Sequence, residues 1–166
     1  MSKIIVSCYN KAEKAFRTFR PKYVISILGK DEGPLRQFDG LNPENILELR
    51  GDCSGTDENA ERCQQLIDLA RRWDKSEPIL IHCWQGVARS MAAAYIVSCA
   101  AQENRCEFEI ARELRIAAPH ADPNLLLISQ ADQLLGRGDR MVEAILDLCP
   151  CAGADFDDIV ILPVAA

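Results

Sequence analysis

The segment PILIHCWQGVARSMAAAY, residues 78–95, decides the fold of this chain. Its apolar run ILIH, residues 79–82, is typical of a strand that is buried in a parallel sheet. Residues 84–89 then form a short connection that contains a glycine, and residues 90–101 are rich in helix-forming alanine. Ligands of open α/β sheets bind beyond the carboxyl ends of the strands. Cys83, at the end of this strand, is therefore predicted to lie at a binding edge.

Strand and helix patterns alternate around this segment. The sequence predicts strands at 3–8, 23–28, within 43–52 and at 78–83. It predicts helices at 56–74, 88–102, about 107–118, 123–135 and 140–148. This order indicates an α/β fold with a central, mostly parallel sheet of about four to five strands flanked by helices. Residues 1–166 are expected to form one domain, and the acidic and then apolar tail from 150 onward either adds an edge strand, folds over the body or binds a partner.

Composition and charge narrow the function classes. The net charge of −6 and the isoelectric point near 5.0 argue against a surface for nucleic acid or anionic membrane. No apolar run approaches the roughly 18 residues of a membrane span. The opening MSKIIVSCYN has no sustained apolar signal region, so we expect a cytoplasmic protein whose eight cysteines are mostly reduced. The pair Cys149 and Cys151 has no second cysteine pair or histidine at zinc spacing, so we predict no metal site and no cofactor.

The connection after Cys83 suits a phosphate group. A loop that enters a helix N-terminus gathers unpaired backbone N–H groups in a small space, where the helix dipole adds partial positive charge. Such a loop favours a tetrahedral dianion, and it favours the thiolate of Cys83 over the thiol. Arg89, in the first turn of the predicted helix, can hold two phosphate oxygens with its planar guanidinium.

The full string HCxxGxxRS, residues 82–90, resembles the signature loop of the cysteine-based protein tyrosine phosphatases. The short chain is similar to their compact dual-specificity-like branch of bacterial type. This resemblance implies that Cys83 attacks phosphorus to form a phosphocysteine, that Arg89 holds the phosphoryl oxygens, and that Ser90 donates a hydrogen bond to the sulfur. It also implies a structural role, and no acid or base role, for His82. The substrate-binding residues implied by the loop are Trp84, Gln85, Gly86, Val87, Ala88 and Arg89.

The family also uses an aspartate upstream of the cysteine as general acid, and the segment GDCSGTDE offers two candidates. Asp52 follows the apolar run NILEL much as Cys83 follows ILIH, so both emerge at one edge if the two strands run parallel. Asp57 has a competing explanation, because carboxylates in the first turn of a helix complement its dipole. We predict Asp52 as the acid and keep Asp57 as the alternative.

Several other residues keep two interpretations each. Trp84 either stacks on a substrate ring or packs against the protein. Asn124 either hydrogen-bonds the signature loop or caps its own helix, and we favour the cap. Arg137 and Arg140 either contact substrate or are solvated surface, and we favour surface. Cys53 is either a redox partner of the nucleophile or an incidental loop thiol, and we favour the latter.

The function predicted by the sequence is metal-independent hydrolysis of phosphate monoesters, on phosphotyrosine or on phosphoserine/threonine proteins. Expected partners are a phosphorylated protein or a small phosphomonoester, with no nucleic acid and no membrane; the sequence leaves the oligomeric state open. Two alternatives stand beside this function. The second candidate is a catalytically silent phosphate-binding module, and the third is a sulfurtransferase or arsenate reductase that uses a cysteine loop of similar length.

Overall fold

The computed structural model describes residues 2–51, 55–152 and 158–164. Over these residues the chain alternates strands and helices and then becomes helical, as the sequence predicts. The strands are β1 Ser2–Cys8, β2 Tyr23–Leu28, β3 Ile46–Arg50, β4 Ile79–Cys83 and β5 Val160–Val164. The helices are α1 Ala12–Phe19, α2 Thr56–Arg72, α3 Arg89–Ala101, α4 Glu107–Ala117, α5 Leu125–Leu135 and α6 Arg140–Leu146.

The five described strands form one sheet in the order β3-β2-β4-β1-β5. Strands β1 to β4 pair in parallel, and β5 pairs antiparallel with β1 at one edge of the sheet. The predicted mostly parallel sheet is confirmed, and the tail forms the edge strand that was one of its three predicted arrangements. Because four strands run in the same direction, β3 and β4 end at the same edge of the sheet, as the argument for Asp52 requires.

The sheet separates two apolar layers. The larger core packs α2 and α3, together with the later helices, on the face that carries Val6, Ile27 and Ile81. The smaller core packs α1 and Phe38 on the opposite face, against a row formed by Ile5, Leu80 and Val24. With both faces covered, β4 is buried along its whole length, which explains its continuous apolar sequence.

Several element boundaries, by one or two residues each, and one whole helix differ from the sequence prediction. Helix α5 begins at Leu125, not at residue 123, because Asn124 caps it, and α6 ends at Leu146, not at residue 148. Helix α1 was not predicted, although its buried Ala12 and Ala15 have helical spacing. None of the helices in the described ranges combines the length and apolar character that a bilayer span requires.

Candidate active site

The side chain of Cys83 ends β4 beneath the loop that leads into α3. Cys83 is only 2% exposed, and its Sγ lies 3.1 Å from Ser90 Oγ. The backbone N–H of Gly86 donates to the same sulfur over 3.2 Å. The loop therefore folds around the sulfur, and two polar groups are placed to stabilise negative charge on it.

Gly86 allows this loop to lie against the end of β1. Its φ of +78° is in the left-handed region, which glycine adopts without steric cost. A Cβ at this position would stand 2.9 Å from the backbone nitrogen of Cys8 and 3.1 Å from the carbonyl carbon of Ser7. The loop is also joined to β1 by a hydrogen bond from the N–H of Tyr9 to the carbonyl of Trp84. A larger residue at position 86 would have to displace backbone.

The far end of the loop is fixed by the segment before α5. The N–H of Asp122 donates to the carbonyl of Val87, and the N–H of Asn124 donates to the carbonyl of Ala88. The Asn124 side chain accepts from the N–H of Leu127, which is the capping role that the sequence favours. Asn124 thus contacts the loop through its backbone and its own helix through its side chain.

Arg89 begins α3, in the first turn as predicted, and its guanidinium forms a bidentate pair with Glu32. Nη1 lies 2.7 Å from Oε2, and Nη2 lies 2.6 Å from Oε1. The arginine side chain is 19% exposed and the glutamate side chain 28% exposed. The hydrogen bond from Arg89 lowers the pKa of Glu32 below its ordinary value, despite the opposing effect of burial. Both groups therefore carry full charge at neutral pH.

Glu32 lies in the connection between β2 and β3, and that connection is itself braced. The Glu32 carboxylate accepts from the N–H of Gly29 over 2.7 Å. The guanidinium of Arg50 donates to the carbonyls of Gly29, Glu32 and Gly33, each over 3.1 Å. Sequence analysis missed Glu32, because one acid in the polar stretch KDEG carries no local signal of a partner that is 57 residues away.

His82 is fully buried next to Cys83, as expected for a residue of the apolar run ILIH. It lies in register between Ser7 of β1 and Ser26 of β2, so the three residues form a polar row on the α1 face of the sheet. Among the described residues, the polar side-chain atoms of this row have no hydrogen-bond partner of good geometry. Burial lowers the pKa of His82 to about 4, so the imidazole is neutral at physiological pH.

The loop side chains differ in exposure. Trp84 and Gln85 are exposed, Val87 and Ala88 are half-buried, and Gly86 is buried. The Trp84 indole is 43% exposed and stacks on Tyr9, with ring centroids 4.9 Å apart and an interplanar angle of 29°. The predicted loop residues therefore lie side by side in one turn of chain, and the aromatic side chain of Trp84 is on its exposed surface.

The segment GDCSGTDE contains three residues with predicted roles, Asp52, Cys53 and Asp57. Asp52 and Cys53 lie outside the described residues. Asp57 is the second residue of α2, in the first helical turn, where a dipole role was expected. On the N-terminal side of these three residues, β3 ends at Arg50, and the N–H of Gly51 donates to the carbonyl of Leu28.

Arg137 does not have the surface role that the sequence favours, whereas Arg140 lies at the surface as predicted. Arg137 is 9% exposed, so the prediction of solvated surface is wrong for it. Its Nη1 lies 2.9 Å from Glu107 Oε1, and its Nη2 donates to the carbonyl of Cys99. The side chain of Arg140 is half-exposed, but it also donates to Glu107, over 3.2 Å. Both arginines therefore donate hydrogen bonds to the Glu107 carboxylate at the start of α4.

Comparisons with solved structures show the fold. The chain is similar to the crystal structure of Cydia pomonella PTP-2 phosphatase, at 17% identity and a TM-score of 0.58, covering 96% of this chain and 92% of that one. It is similar to DUSP15 at 14% identity and a TM-score of 0.55, covering 88% and 92% of the two chains. It is similar to human DUSP28 at 16% identity and a TM-score of 0.53, covering 81% and 92%.

No family model and no curated protein sequence matches this chain. The structural matches nevertheless extend over most of each chain, so the likeness includes the sheet and the helices packed on it. The chain therefore has the dual-specificity-like fold of the cysteine-based protein tyrosine phosphatases, as the resemblance of residues 82–90 implies.

Proposed function

We propose that this protein hydrolyses phosphate monoesters on phosphotyrosine or phosphoserine/threonine side chains through a phosphocysteine intermediate, without a metal ion. The observation that carries the proposal is the arrangement around the Cys83 sulfur. A buried thiol at the carboxyl end of a central strand receives the Gly86 N–H and the Ser90 hydroxyl, directly before a helix that begins with Arg89. This arrangement suits a thiolate that faces a tetrahedral anion.

The reaction has two displacements at phosphorus. In the first, the Cys83 thiolate forms a bond to phosphorus while the ester oxygen leaves with its electron pair and takes a proton from a general acid. In the second, water attacks the phosphocysteine, the S–P bond breaks, and Cys83 returns as thiolate. The net change is phosphomonoester plus water to alcohol plus inorganic phosphate, and Ser90 stabilises the departing sulfur through the 3.1 Å contact.

Charge on the transferring phosphoryl group is balanced by the loop amides and by Arg89. Phosphoryl transfer depends mainly on positioning and on electrostatic stabilisation of the equatorial oxygens. The guanidinium carries five N–H groups in one plane, and the end-on pair with Glu32 uses two of them. Glu32 thereby holds the plane of the guanidinium, and the phosphoryl oxygens would bind along its Nε edge. Glu32 is in this proposal a positioning residue.

Asp52 is proposed as the general acid. It follows β3, whose carboxyl end lies at the same sheet edge as Cys83 because β3, β2 and β4 are parallel. A general acid matters most when the leaving group is a poor one. Asp52→Asn should therefore slow hydrolysis of phenyl phosphate far more than hydrolysis of p-nitrophenyl phosphate, while Asp57→Asn should slow both equally and slightly. The reverse result would assign the role to Asp57.

The test of the function is p-nitrophenyl phosphate hydrolysis by the wild type and by Cys83→Ser, with and without a metal chelator. We expect turnover that is unaffected by the chelator and abolished in Cys83→Ser, and a phosphocysteine that can be trapped by acid quench and detected by mass spectrometry. Turnover retained in Cys83→Ser would refute the mechanism.

The same assay separates the alternatives. Tight binding of inorganic phosphate without turnover would indicate a silent binding module, and turnover of thiosulfate or arsenate in place of phosphomonoesters would indicate the third class. The Ser90 contact favours the phosphatase, since a hydroxyl beside the Cys83 sulfur stabilises a departing thiolate and is not required for holding a phosphate ion at rest.

A further inference from the structure

Trp84 belongs to a stack of three side chains at the rim of the loop. Its indole lies against Tyr9, with centroids 4.9 Å apart. The guanidinium carbon of Arg36 lies 3.9 Å from the centroid of the same Tyr9 ring. Two groups at these distances cannot occupy one face of a ring, so Tyr9 is held between Arg36 and Trp84. The outermost layer of the stack is the indole of Trp84, which is 43% exposed.

The stack is held in place at several points. The Tyr9 hydroxyl donates to the carbonyl of Pro34 over 2.8 Å, and the Tyr9 N–H donates to the carbonyl of Trp84. Arg36 donates to Glu13 and Asn10, over 3.4 Å and 3.3 Å. The indole is therefore fixed before any substrate arrives, and little conformational entropy remains to be lost on binding.

The position of the indole relates it to the phosphate site. Trp84 directly follows Cys83, and a Cβ built on Gly33 would stand 3.2 Å from the indole edge. Gly33 is the neighbour of Glu32, whose carboxylate holds Arg89. The indole thus lies against the connection that carries Glu32, and it belongs to the residue that directly follows Cys83.

We infer that Trp84 is a specificity-determining residue that stacks on the aromatic ring of an aryl phosphate, so that the site prefers phosphotyrosine to phosphoserine or phosphothreonine. The substrate ring forms the fourth layer of the stack, on the outer face of the indole. An alkyl phosphate has no ring to place there. The inference rests on the proposed function for its reaction, while the binding preference can be measured without turnover.

The test compares two Cys83→Ser proteins, one with Trp84 and one with Trp84→Ala. Their affinities for N-acetyl-phosphotyrosine amide, N-acetyl-phosphoserine amide and inorganic phosphate are measured by calorimetry. Aromatic stacking is expected to contribute about threefold to tenfold to the phosphotyrosine preference, and Trp84→Ala should remove that part of the ratio. Trp84→Phe should retain most of it. Ile116→Ala, at a position that is 80% exposed on α4, is the matched loss of a surface apolar group and should leave the ratio unchanged.

Equal loss of affinity for all three probes in Trp84→Ala would overturn the inference, because it would show that the indole only supports the loop. No preference in the protein that retains Trp84 would overturn it as well. Turnover by the wild type together with an unchanged ratio in Trp84→Ala would refute the inference and leave the proposed function standing. A binding preference without turnover would do the opposite, and failure to bind any probe would overturn both.

Discussion

Two arginine–carboxylate groups in this molecule use the same chemistry in different surroundings. The site pair, Arg89 with Glu32, has side chains that are 19% and 28% exposed and joins the signature loop to the β2–β3 connection. The rear cluster, Glu107 with Arg137 and Arg140, lies near the end of α3 that is far from the loop, and the Glu107 side chain is 5% exposed. Exposure decides which pair can exchange partners with a ligand and which only supports the fold.

The rear cluster closes helix ends. Glu107 is the first residue of α4, where negative charge complements the dipole, and Arg137 donates to the carbonyl of Cys99 near the end of α3. The site pair instead places a guanidinium at the start of α3, where the free backbone groups of a helix are N–H donors and cannot accept its hydrogen bonds. A cation at a helix N-terminus opposes the dipole, so its position there is a cost to stability that a function explains.

The largest expected effect is on catalysis at the site pair. Arg89→Lys removes the planar fork that holds two oxygens, and we expect kcat/KM for p-nitrophenyl phosphate to fall by about 100-fold to 1000-fold. The free energy of unfolding should change by less than about 1 kcal/mol, because the pair is partly exposed. Steady-state kinetics and urea denaturation test the two statements, and a loss below about tenfold would contradict the role of Arg89.

The second effect is on stability at the rear cluster. Glu107→Ala leaves Arg137 buried without its carboxylate, which should lower the free energy of unfolding by about 3 kcal/mol or more. The activity of the folded protein should be preserved, since Glu107 lies away from the loop. The control is Glu103→Ala, because the Glu103 side chain is 62% exposed and 3.7 Å from Arg71, and its loss should cost less than about 1 kcal/mol. Similar costs for both variants would show that the rear cluster is not a structural centre.

The third effect returns to the site. Glu32→Gln keeps the size of the side chain and removes the charge that fixes Arg89, so we expect kcat/KM to fall by about tenfold with little change in stability. Addition of inorganic phosphate should then raise the melting temperature less in the variant than in the wild type. A rise in kcat/KM would show that the Glu32 carboxylate competes with phosphate for the guanidinium.

The sequence predicted the parts of this comparison that are local. Residues 82–90 carry a strand end, a glycine, an arginine and a hydroxyl in one short string. The structure places the Gly86 N–H and the Ser90 hydroxyl at the Cys83 sulfur and starts α3 with Arg89. The cap at Asn124 was also readable, because a side chain and an N–H three residues later suffice for it. Glu32 was not, since its partner is set by the packing of the β2–β3 connection against the loop.

The error at Arg137 has the same cause. The stretch LGRGDRM looks like a polar surface connection, and the partner that buries Arg137 is 30 residues earlier in the chain. Helix α1 was missed for a different reason, since the segment 12–19 is short and its buried residues are mainly two alanines. Pairing between charged residues far apart in sequence is therefore what a single sequence shows least.

The smallest expected effect is a pH dependence of stability that comes from the histidines and not from the two carboxylates. The hydrogen bond from Arg89 lowers the pKa of Glu32, and in Glu107 the bonds and charges of Arg140 and Arg137 outweigh burial and also lower the pKa. Both carboxylates therefore stay charged between about pH 7 and pH 5.5. Stability in that window depends on the only two histidines, His82 and His120, whose pKa values are both lowered first of all by burial.

The sign follows from proton binding. With the pKa of His82 at about 4 in the folded state and near 6.5 when unfolded, the unfolded chain binds the proton first as the pH falls. Stability is therefore fully present above about pH 6.5 and is lost toward pH 4, by about 1 kcal/mol between pH 7 and pH 5.5 for His82 alone. Urea denaturation at these two pH values should show this loss of unfolding free energy in the wild type and in Glu32→Gln. The loss should be clearly smaller in His82→Asn and only slightly smaller in His120→Gln. A pH dependence that disappeared in Glu32→Gln would instead mean that the site carboxylate titrates in this range.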